Sequence, residues 1–316
     1  MANTQITVVV PTFKRGEYLI QAIASIGQQT YPYFECLIVN DYPPDAAILE
    51  QKITSLNDDR FKLINRDRSG GGNAARNTGI TAAQGEIIAF LDDDDLWLPQ
   101  KLQKHFEQHE ANPQAGLVFS GILKRWEHQI IPDKRAQAEL PSEGVVSAMS
   151  QGKFCPVTTS SVTVRRECFS QCGLFDVNLT SFQDWDMWYR IAREFEFDCI
   201  ESALTIFRQH LGDRTSKTTT RRLQGLNQLI DKWQFDLDNA QQFKALFIKD
   251  TYVNSIYDSI LRSQRKAALQ DWYKLLKLTQ SRSDIFLLIK LMFMWLISAK
   301  NYGRLSKRLY VKPEAR

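Results

Sequence analysis

The sequence predicts an α/β protein built on a doubly wound, mostly parallel sheet, with a helical C-terminal extension. Three observations carry that prediction. Over the first 125 residues, short β-branched runs alternate with stretches whose apolar residues recur at i, i+3, i+4, i+7. Prolines, asparagines and aspartates close those runs, as strand ends require. From about residue 220 the pattern turns helical, with few glycines and prolines. At 316 residues, 43% hydrophobic and 24% charged, the chain is long enough for one large α/β domain plus an appendage.

Taken in order, Ile6–Val10, stopped by Pro11, reads as a buried first strand. Leu19, Ala22, Ile23 and Ile26 then mark one face of a helix. Phe34–Val39 is the second strand; it ends in Asn40-Asp41-Tyr42-Pro43-Pro44, where two prolines forbid further ladder. Phe61–Ile64 is the third. Ser69-Gly70-Gly71-Gly72-Asn73 opens a helix over Ala74–Ala83, which Gly85 stops; the same glycines also suit a plain turn. Glu86–Leu91 is the fourth strand, closed by four consecutive aspartates, Asp92–Asp95. Residues 124–158, with Pro132, Pro141 and Pro156, are expected to be loop-rich and near the site. Val162–Val164 resumes as a strand, Trp185, Trp188, Tyr189 and Ala192 mark a second amphipathic helix, and Leu204–Phe207 is a short final strand.

The net charge of +4 conceals an asymmetry. Residues 262–316 carry 13 Lys/Arg against three Asp/Glu, a local +10 that leaves −6 for the remainder. Within this tail, Ile285–Ile297 has 12 apolar residues in 13, broken only by Lys290. A spanning helix needs roughly 20. Followed by Lys300, Arg304, Lys307 and Arg308, the stretch suits in-plane attachment to an anionic membrane surface, and equally a buried helix of a C-terminal bundle. The five cysteines, Cys36, Cys155, Cys168, Cys172 and Cys199, are scattered and form no CxxC pair, which argues against zinc ribbons and disulfide frameworks and for a reducing compartment. The start lacks a basic region, and Ile6–Val10 is too short for a signal peptide, so export by that route is not expected.

Four carboxylates at a strand end repel one another, and a divalent cation is the simplest neutralising partner. Ligands of open α/β sheets sit beyond the carboxyl ends of the strands, where this run falls. That points to a metal-dependent enzyme acting on a phosphorylated substrate. The alternative is a solvated acidic turn whose last two residues cap the helix after Pro99. Asp41, Gly70–Gly72 and Asp92–Asp95 each follow a parallel-type strand and therefore share one sheet edge. The helix start at Asn73, with Arg76 in its first turn, offers amide groups and a fixed charge to a phosphate.

The ordered segments Val8-Val-Val-Pro-Thr-Phe-Lys-Arg15, Gln29-Thr-Tyr-Pro32, Gly71-Gly-Asn-Ala-Ala-Arg-Asn-Thr-Gly79, Phe90-Leu-Asp-Asp-Asp-Asp-Leu-Trp97, Gly173-Leu-Phe-Asp176 and Gln183-Asp-Trp-Asp-Met-Trp-Tyr-Arg190 resemble family 2 of the nucleotide-sugar glycosyltransferases, over roughly residues 5–216. The resemblance implies the GT-A fold, with a catalytic domain over 1–217 (donor half 1–125, acceptor half 126–217); the helical region over 218–316 rests on the sequence pattern alone. It implies an inverting transfer of one sugar from a nucleoside diphosphate donor, usually a uridine one, dependent on Mg2+ or Mn2+. By position, Pro11 and Thr12 would line the nucleotide pocket, Asp41 would accept from the base ring and Arg76 would face the nucleotide. Asp92 would meet the ribose or metal side and Asp94 the metal, with Asp93 and Asp95 as contributors.

Asp184 would be the base that takes the acceptor proton, although Ser181-x-x-Asp184 also reads as a capping box. His210 would complete the metal shell, or is a surface histidine. Two departures stand out: Asn40-Asp41-Tyr42-Pro43 replaces an acidic pair followed by Gly-Ser, and Gln183 takes a Glu position. The expected acceptor is a glycan or a lipid-linked carrier in surface-polysaccharide assembly, handled in the cytoplasm or peripherally on the inner face of the cell membrane. A sugar nucleotidyltransferase would carry a glycine-rich, arginine-containing loop after the first strand, where this chain has Pro11-Thr-Phe-Lys-Arg15-Gly. A basic-tailed binding protein on nucleic acid or lipid would explain the tail and leave the strand-end carboxylates unaccounted for, so no nucleic-acid partner is expected.

Overall fold

The computed structural model describes residues 4–126, 129–132, 138–156, 158–209, 219–234, 237–262, 264–278 and 282–296. The chain divides into two compact units, Met1–Gly212 and Asp213–Arg316. In the first, the elements run β1 (Ile6–Thr12), α1 (Gly16–Gly27), β2 (Phe34–Asn40), α2 (Ala46–Thr54), β3 (Phe61–Asn65), α3 (Gly71–Ala82), β4 (Ile87–Phe90), β5 (Leu96–Trp97), α4 (Lys101–Ala111), β6 (Ala115–Trp126), β7 (Gln129–Pro132), α5 (Val145–Ser150), β8 (Val162–Arg165), α6 (Arg166–Cys172), α7 (Gln183–Ala192) and β9 (Glu196–Gln209). The sheet order is β3-β2-β1-β4-β8-β6-β9-β5, with β7 paired to β6. The β3-β2-β1-β4 half is parallel; β8 runs antiparallel to β4 and β6, and β9 runs parallel to β6.

β1 is buried at all seven positions, as a central strand covered on both faces must be. Its alternation sorts the two cores. Val8 and Val10 pack with Leu19, Ile23 and Ile26 of α1, Leu49 of α2 and Leu102 of α4. Val9 points the other way, among Ala75 and Ile80 of α3, Phe169 of α6 and Trp188 of α7. Each such fully buried aliphatic side chain contributes about 1.5 to 3 kcal/mol. The sheet is therefore doubly wound, and α3 lies hard on it: a Cβ at Gly79 would sit 2.4 Å from a methyl of Val9. Only glycine permits that approach, which fixes the height of α3 over the strand ends.

Several boundaries differ from the sequence reading. α3 begins at Gly71, three residues earlier than expected, and Gly71 takes a positive φ of 83° that glycine adopts without strain. The final strand is 14 residues long, and it pairs with the 12-residue β6 through register shifts around Ser120 and Gly121. Those irregularities break the period-2 pattern that would have shown both strands. The segment taken as loop-rich contains the end of β6, β7 and the short helix α5. Free cysteines are found at all five positions, with Cys36 and Cys168 buried as small apolar packing.

The second unit holds α8 (Thr219–Trp233), α9 (Leu237–Leu261), α10 (Arg265–Leu276) and α11 (Arg282–Leu296). Ile256, Ile260, Ala268, Leu275, Leu288, Leu291 and Met294 form its core. The indole of Trp272 donates to the Leu288 carbonyl at 3.0 Å, and that of Trp295 to the Arg265 carbonyl at 3.0 Å, so α10 and α11 run antiparallel. One face of the apolar 285–296 stretch is thus bundle core. Its other face, Ile285, Phe286, Ile289, Phe293 and Leu296, is exposed. No described helix is long and apolar enough to cross a membrane.

Candidate active site

The carboxyl ends of β1, β2 and β4 adjoin, and Pro11, Thr12, Asp41 and Asp92 to Asp94 follow or end those strands. Pro11 and Thr12 end β1 opposite Val39 and Asn40 of β2. Thr12 donates its hydroxyl to Asp93 at 2.9 Å, and the Asp41 amide donates to the Thr12 carbonyl at 2.9 Å. The aspartate run is not uncompensated, as the sequence suggested. Arg15 pairs with Asp94 and reaches Asp93 at 3.3 Å; Arg76 reaches Asp92 at 2.5 Å. Arg208 donates its amide to Asp95 at 3.1 Å and its Nε to the Asp94 carbonyl at 2.5 Å. Neither Asp94 nor Asp95 caps the following helix, because β5 intervenes and Gln100 precedes α4 without a side-chain cap.

Burial sets the electrostatics of this turn. It pushes the Asp93 carboxyl up to about 7, against the pull of the Arg15 guanidinium and with the push of Asp94. Asp95, fully buried, is driven well above its ordinary value by burial first and by Asp94 and Asp92 next; Ser160 and the Arg208 amide oppose. Arg15 is itself held above its ordinary value, since the attraction of Asp94 and Asp93 outweighs the burial that works to lower it. The cluster therefore sits at a charge balance that a cation or an anion entering the site would change.

Asp41 closes the neighbouring loop. Its carboxylate accepts from the Gly70 amide at 3.0 Å, the Gly71 amide at 2.7 Å, the Ser69 hydroxyl at 2.9 Å and the Arg66 guanidinium. It thereby satisfies donors at the start of α3 that an anion would otherwise meet. Arg76 lies in the second turn of that helix, over the ring of Phe175 at 5.8 Å, and its buried Nε has no hydrogen-bond partner among the described residues.

Asp184 stands in the first turn of α7, where it accepts from the Trp185 amide at 2.9 Å. The capping box is absent: the residue before the helix is Phe182, in a left-handed conformation with φ 62°, and no side chain caps the end. A buried non-glycine residue held at positive φ two positions from Asp184 is local strain of the kind that accompanies functional sites. Burial, then the charge of Asp184, pushes the Cys155 thiol up. Asp186 is different in kind, since it is fully buried and paired with Arg190 at 2.9 Å.

What ties α7 to the strand ends went unread in the sequence. Asn73 donates to the Asp176 carbonyl and Asn77 to the Phe175 carbonyl, both at 2.8 Å, so two asparagines one helical turn apart on α3 hold the loop that leads to α7. Phe175 then packs edge-on against Phe90 and Trp188. Ser160, in the tight turn Thr159–Ser161, accepts from the Asp92 amide at 3.1 Å and donates to Asp95 at 2.7 Å. From sequence, Arg15, Arg208 and Ser160 have no assigned site role, and Asn73 and Asn77 serve only as a helix start and as part of a motif. His210 lies outside the described residues, and among those described no three His, Cys, Asp or Glu side chains form a ready metal cage.

Behind the acidic turn lies a second buried polar network. Lys101, with no exposure, places Nζ 2.8 Å from His105 Nε2 and donates to the Ser161 carbonyl at 3.3 Å. His105 Nδ1 and His109 Nε2 both contact the Thr163 hydroxyl, at 2.8 and 2.9 Å. Burial holds Lys101 and His105 well below their ordinary values and His109 down to about 3. Lys101 donating to His105, with both rings donating to Thr163, accounts for these contacts.

Comparisons agree with this geometry. The family model described as Glycosyl transferase family 2 matches residues 7–155. WcaA of Escherichia coli (strain K12), a glycosyl transferase assigned to colanic acid biosynthesis, is 30% identical over 78% of this chain and 87% of its own length. The amylovoran biosynthesis glycosyltransferase AmsB of Erwinia amylovora is 26% identical over 68% of this chain and 72% of its own. Among solved structures, Staphylococcus aureus TarS 1-349 in complex with UDP-GlcNAc superposes with a TM-score of 0.60 at 15% identity, covering 94% of this chain and 89% of that one. The mannosyltransferase PcManGT of Pyrobaculum calidifontis, in complex with GDP-Man and Mn2+, superposes at 0.56 with 18% identity, covering 97% and 84%. The fold is GT-A, and the chain belongs to glycosyl transferase family 2.

Proposed function

We propose that this glycosyltransferase moves one sugar, with inversion, from a uridine diphosphate sugar to a hydroxyl of a glycan or lipid-linked acceptor in surface-polysaccharide assembly, in the cytoplasm. The observation that carries the reading is the gathering of Pro11, Thr12, Asp41, Arg76 and Asp92–Asp94 at three adjoining parallel strand ends. The names of WcaA and AmsB support the pathway class, and the UDP-GlcNAc and GDP-Man of the two structural neighbours support a nucleotide-sugar donor.

In this reading Pro11, Thr12 and Asp41 line the nucleotide pocket, and Arg76, whose Nε is unpartnered, faces the diphosphate. Asp184 takes the proton of the attacking hydroxyl, a role worth about 10² to 10⁴ in rate. Asp92 and Asp94 offer hard oxygen donors suited to Mg2+ or Mn2+, and Asp93, His210 or solvent would fill further positions. Such an ion would neutralise charge on the departing diphosphate.

A panel of nucleotide sugars with Mn2+ and no acceptor tests the reading. Slow hydrolysis of one donor is expected, with loss of metal-dependent donor binding in Asp94→Ala. In Asp184→Asn turnover should fall about 100-fold or more at near-normal donor affinity. No thermal shift or hydrolysis with any nucleotide sugar, with or without metal, would reject it.

A further inference from the structure

α11 is apolar nearly all the way round. Leu288, Leu291 and Met294 are at most 4% exposed, whereas Ile285, Phe286, Ile289, Phe293 and Leu296 are between 52% and 72% exposed. The spacing 285, 289, 293, with 286 and 296 beside it, makes the exposed set one continuous stripe. On α10 the exposed apolar residues are Leu269, Tyr273 and Leu276, again at i, i+4, i+7. Leu269 of α10 and Met292 of α11 line the same groove between the two helices, so the two stripes join into one strip.

The borders of that strip are basic. Lys266 and Lys277 are exposed beside the α10 stripe, and Lys277 lies 4.6 Å from the ring of Tyr273. Lys290 is exposed beside Phe286 and Phe293 on the far side of α11. The two acidic residues of α10 and α11 are already engaged, Asp271 by Lys274 at 3.0 Å and Asp284 by Lys249. Residues 297–316 add six Lys/Arg against one Asp/Glu to the same end of the chain.

We propose that this strip is a docking surface for an anionic lipid bilayer, in which α10 and α11 lie in the plane of the interface. An apolar stripe rimmed by lysines is the composition of an interfacial helix: the rings and aliphatic side chains enter the acyl boundary, and the lysine stems run along it to the headgroups. The surrounding charge adds attraction to an anionic surface. A second copy of this chain is the poorer fit, since lysine is depleted at protein interfaces and these rims would face each other with like charge. The 297–316 segment is poorer too, because its own net positive charge would be laid against Lys266, Lys277 and Lys290.

The full chain should co-sediment with vesicles of phosphatidylglycerol and phosphatidylcholine in equal parts, and less with phosphatidylcholine alone or at high salt. The variant Phe286→Ser/Ile289→Ser/Phe293→Ser changes only exposed side chains, so its thermal melt should match the parent. Its vesicle binding should fall roughly 100-fold or more. Lys290→Glu should weaken binding to the anionic vesicles alone. Equal recovery in the supernatant with and without anionic vesicles overturns the proposal. So does unchanged binding of the triple variant, or a stable oligomer that the triple variant converts to monomer.

Discussion

Ser160 and Asp95 are joined by a 2.7 Å hydrogen bond in which the serine hydroxyl donates to a carboxylate that has no exposure to solvent. The same oxygen accepts the Asp92 amide, so one side chain fixes both ends of the acidic turn. Ser160→Ala removes both contacts and leaves a buried carboxyl oxygen short of a donor. A loss of about 1 to 3 kcal/mol is expected, seen as a lower melting temperature. Mn2+ affinity should fall with it, because Asp92 and Asp94 lose their fixed spacing. Calorimetric titration that finds metal affinity unaltered would confine Ser160 to stability.

Arg15 occupies Asp94 and Asp93, the carboxylates that the proposed function gives to a divalent ion. Arg15→Ala should therefore tighten Mn2+ binding in the absence of nucleotide, by roughly tenfold if about 1.4 kcal/mol of competition is removed. Titration calorimetry with metal alone reads this. Weaker binding would show that Arg15 organises the carboxylates instead of competing for them.

Asp184 and Asp186 lie two residues apart on α7 and should respond oppositely to the same substitution. Asp186→Asn takes the carboxylate from Arg190, which keeps the carbonyls of Cys172 and Leu174, and a loss of about 1 to 3 kcal/mol follows, less than for a fully buried pair because the guanidinium keeps some solvent. Asp184→Asn should melt near the parent temperature while turning over poorly. Loss of activity in Asp186→Asn with a normal melt, alongside an active Asp184→Asn, would move the base to Asp186.

The Lys101–His105–His109 network makes stability depend on pH with a definite sign. All three groups are held below their ordinary values by burial, so the unfolded chain binds more protons than the folded one. Stability is present above those ordinary values and is lost as pH falls. His109, at about 3 against an ordinary 6.5, acts across that window, and Lys101 acts below 10.5. Denaturant melts across pH should show His109→Gln flattening the acid limb and Lys101→Met the limb above neutrality. An unaltered slope between pH 7 and 10 in Lys101→Met would mean that the lysine stays charged in the fold.

The parallel half of the sheet was legible because its strands are short, β-branched and punctuated: Pro11, Asn40 and Asp92 each follow an apolar run directly. β6 and β9 were not, because a long strand with register shifts and a polar face has no clean period, as Glu196-Phe-Asp-Cys-Ile-Glu-Ser shows. The candidate site residues on the donor side were readable from strand ends and carboxylates. Their partners were not, since whether Asp41 meets Arg66 and Ser69, or Asn77 meets Phe175, depends on contacts between residues 25 to 98 apart in the chain.

The contact between Gly79 and Val9 makes two distant positions a single unit of variation. A methyl added at 79 alone must drive α3 off β1, which shifts Arg76, Asn73 and Asn77 together, because all three ride on the same rigid rod. Trimming Val9 to alanine would open the space that an alanine at 79 needs. Sequence drift at either position is therefore conditional on the other, and the proposed donor pocket inherits that constraint through α3.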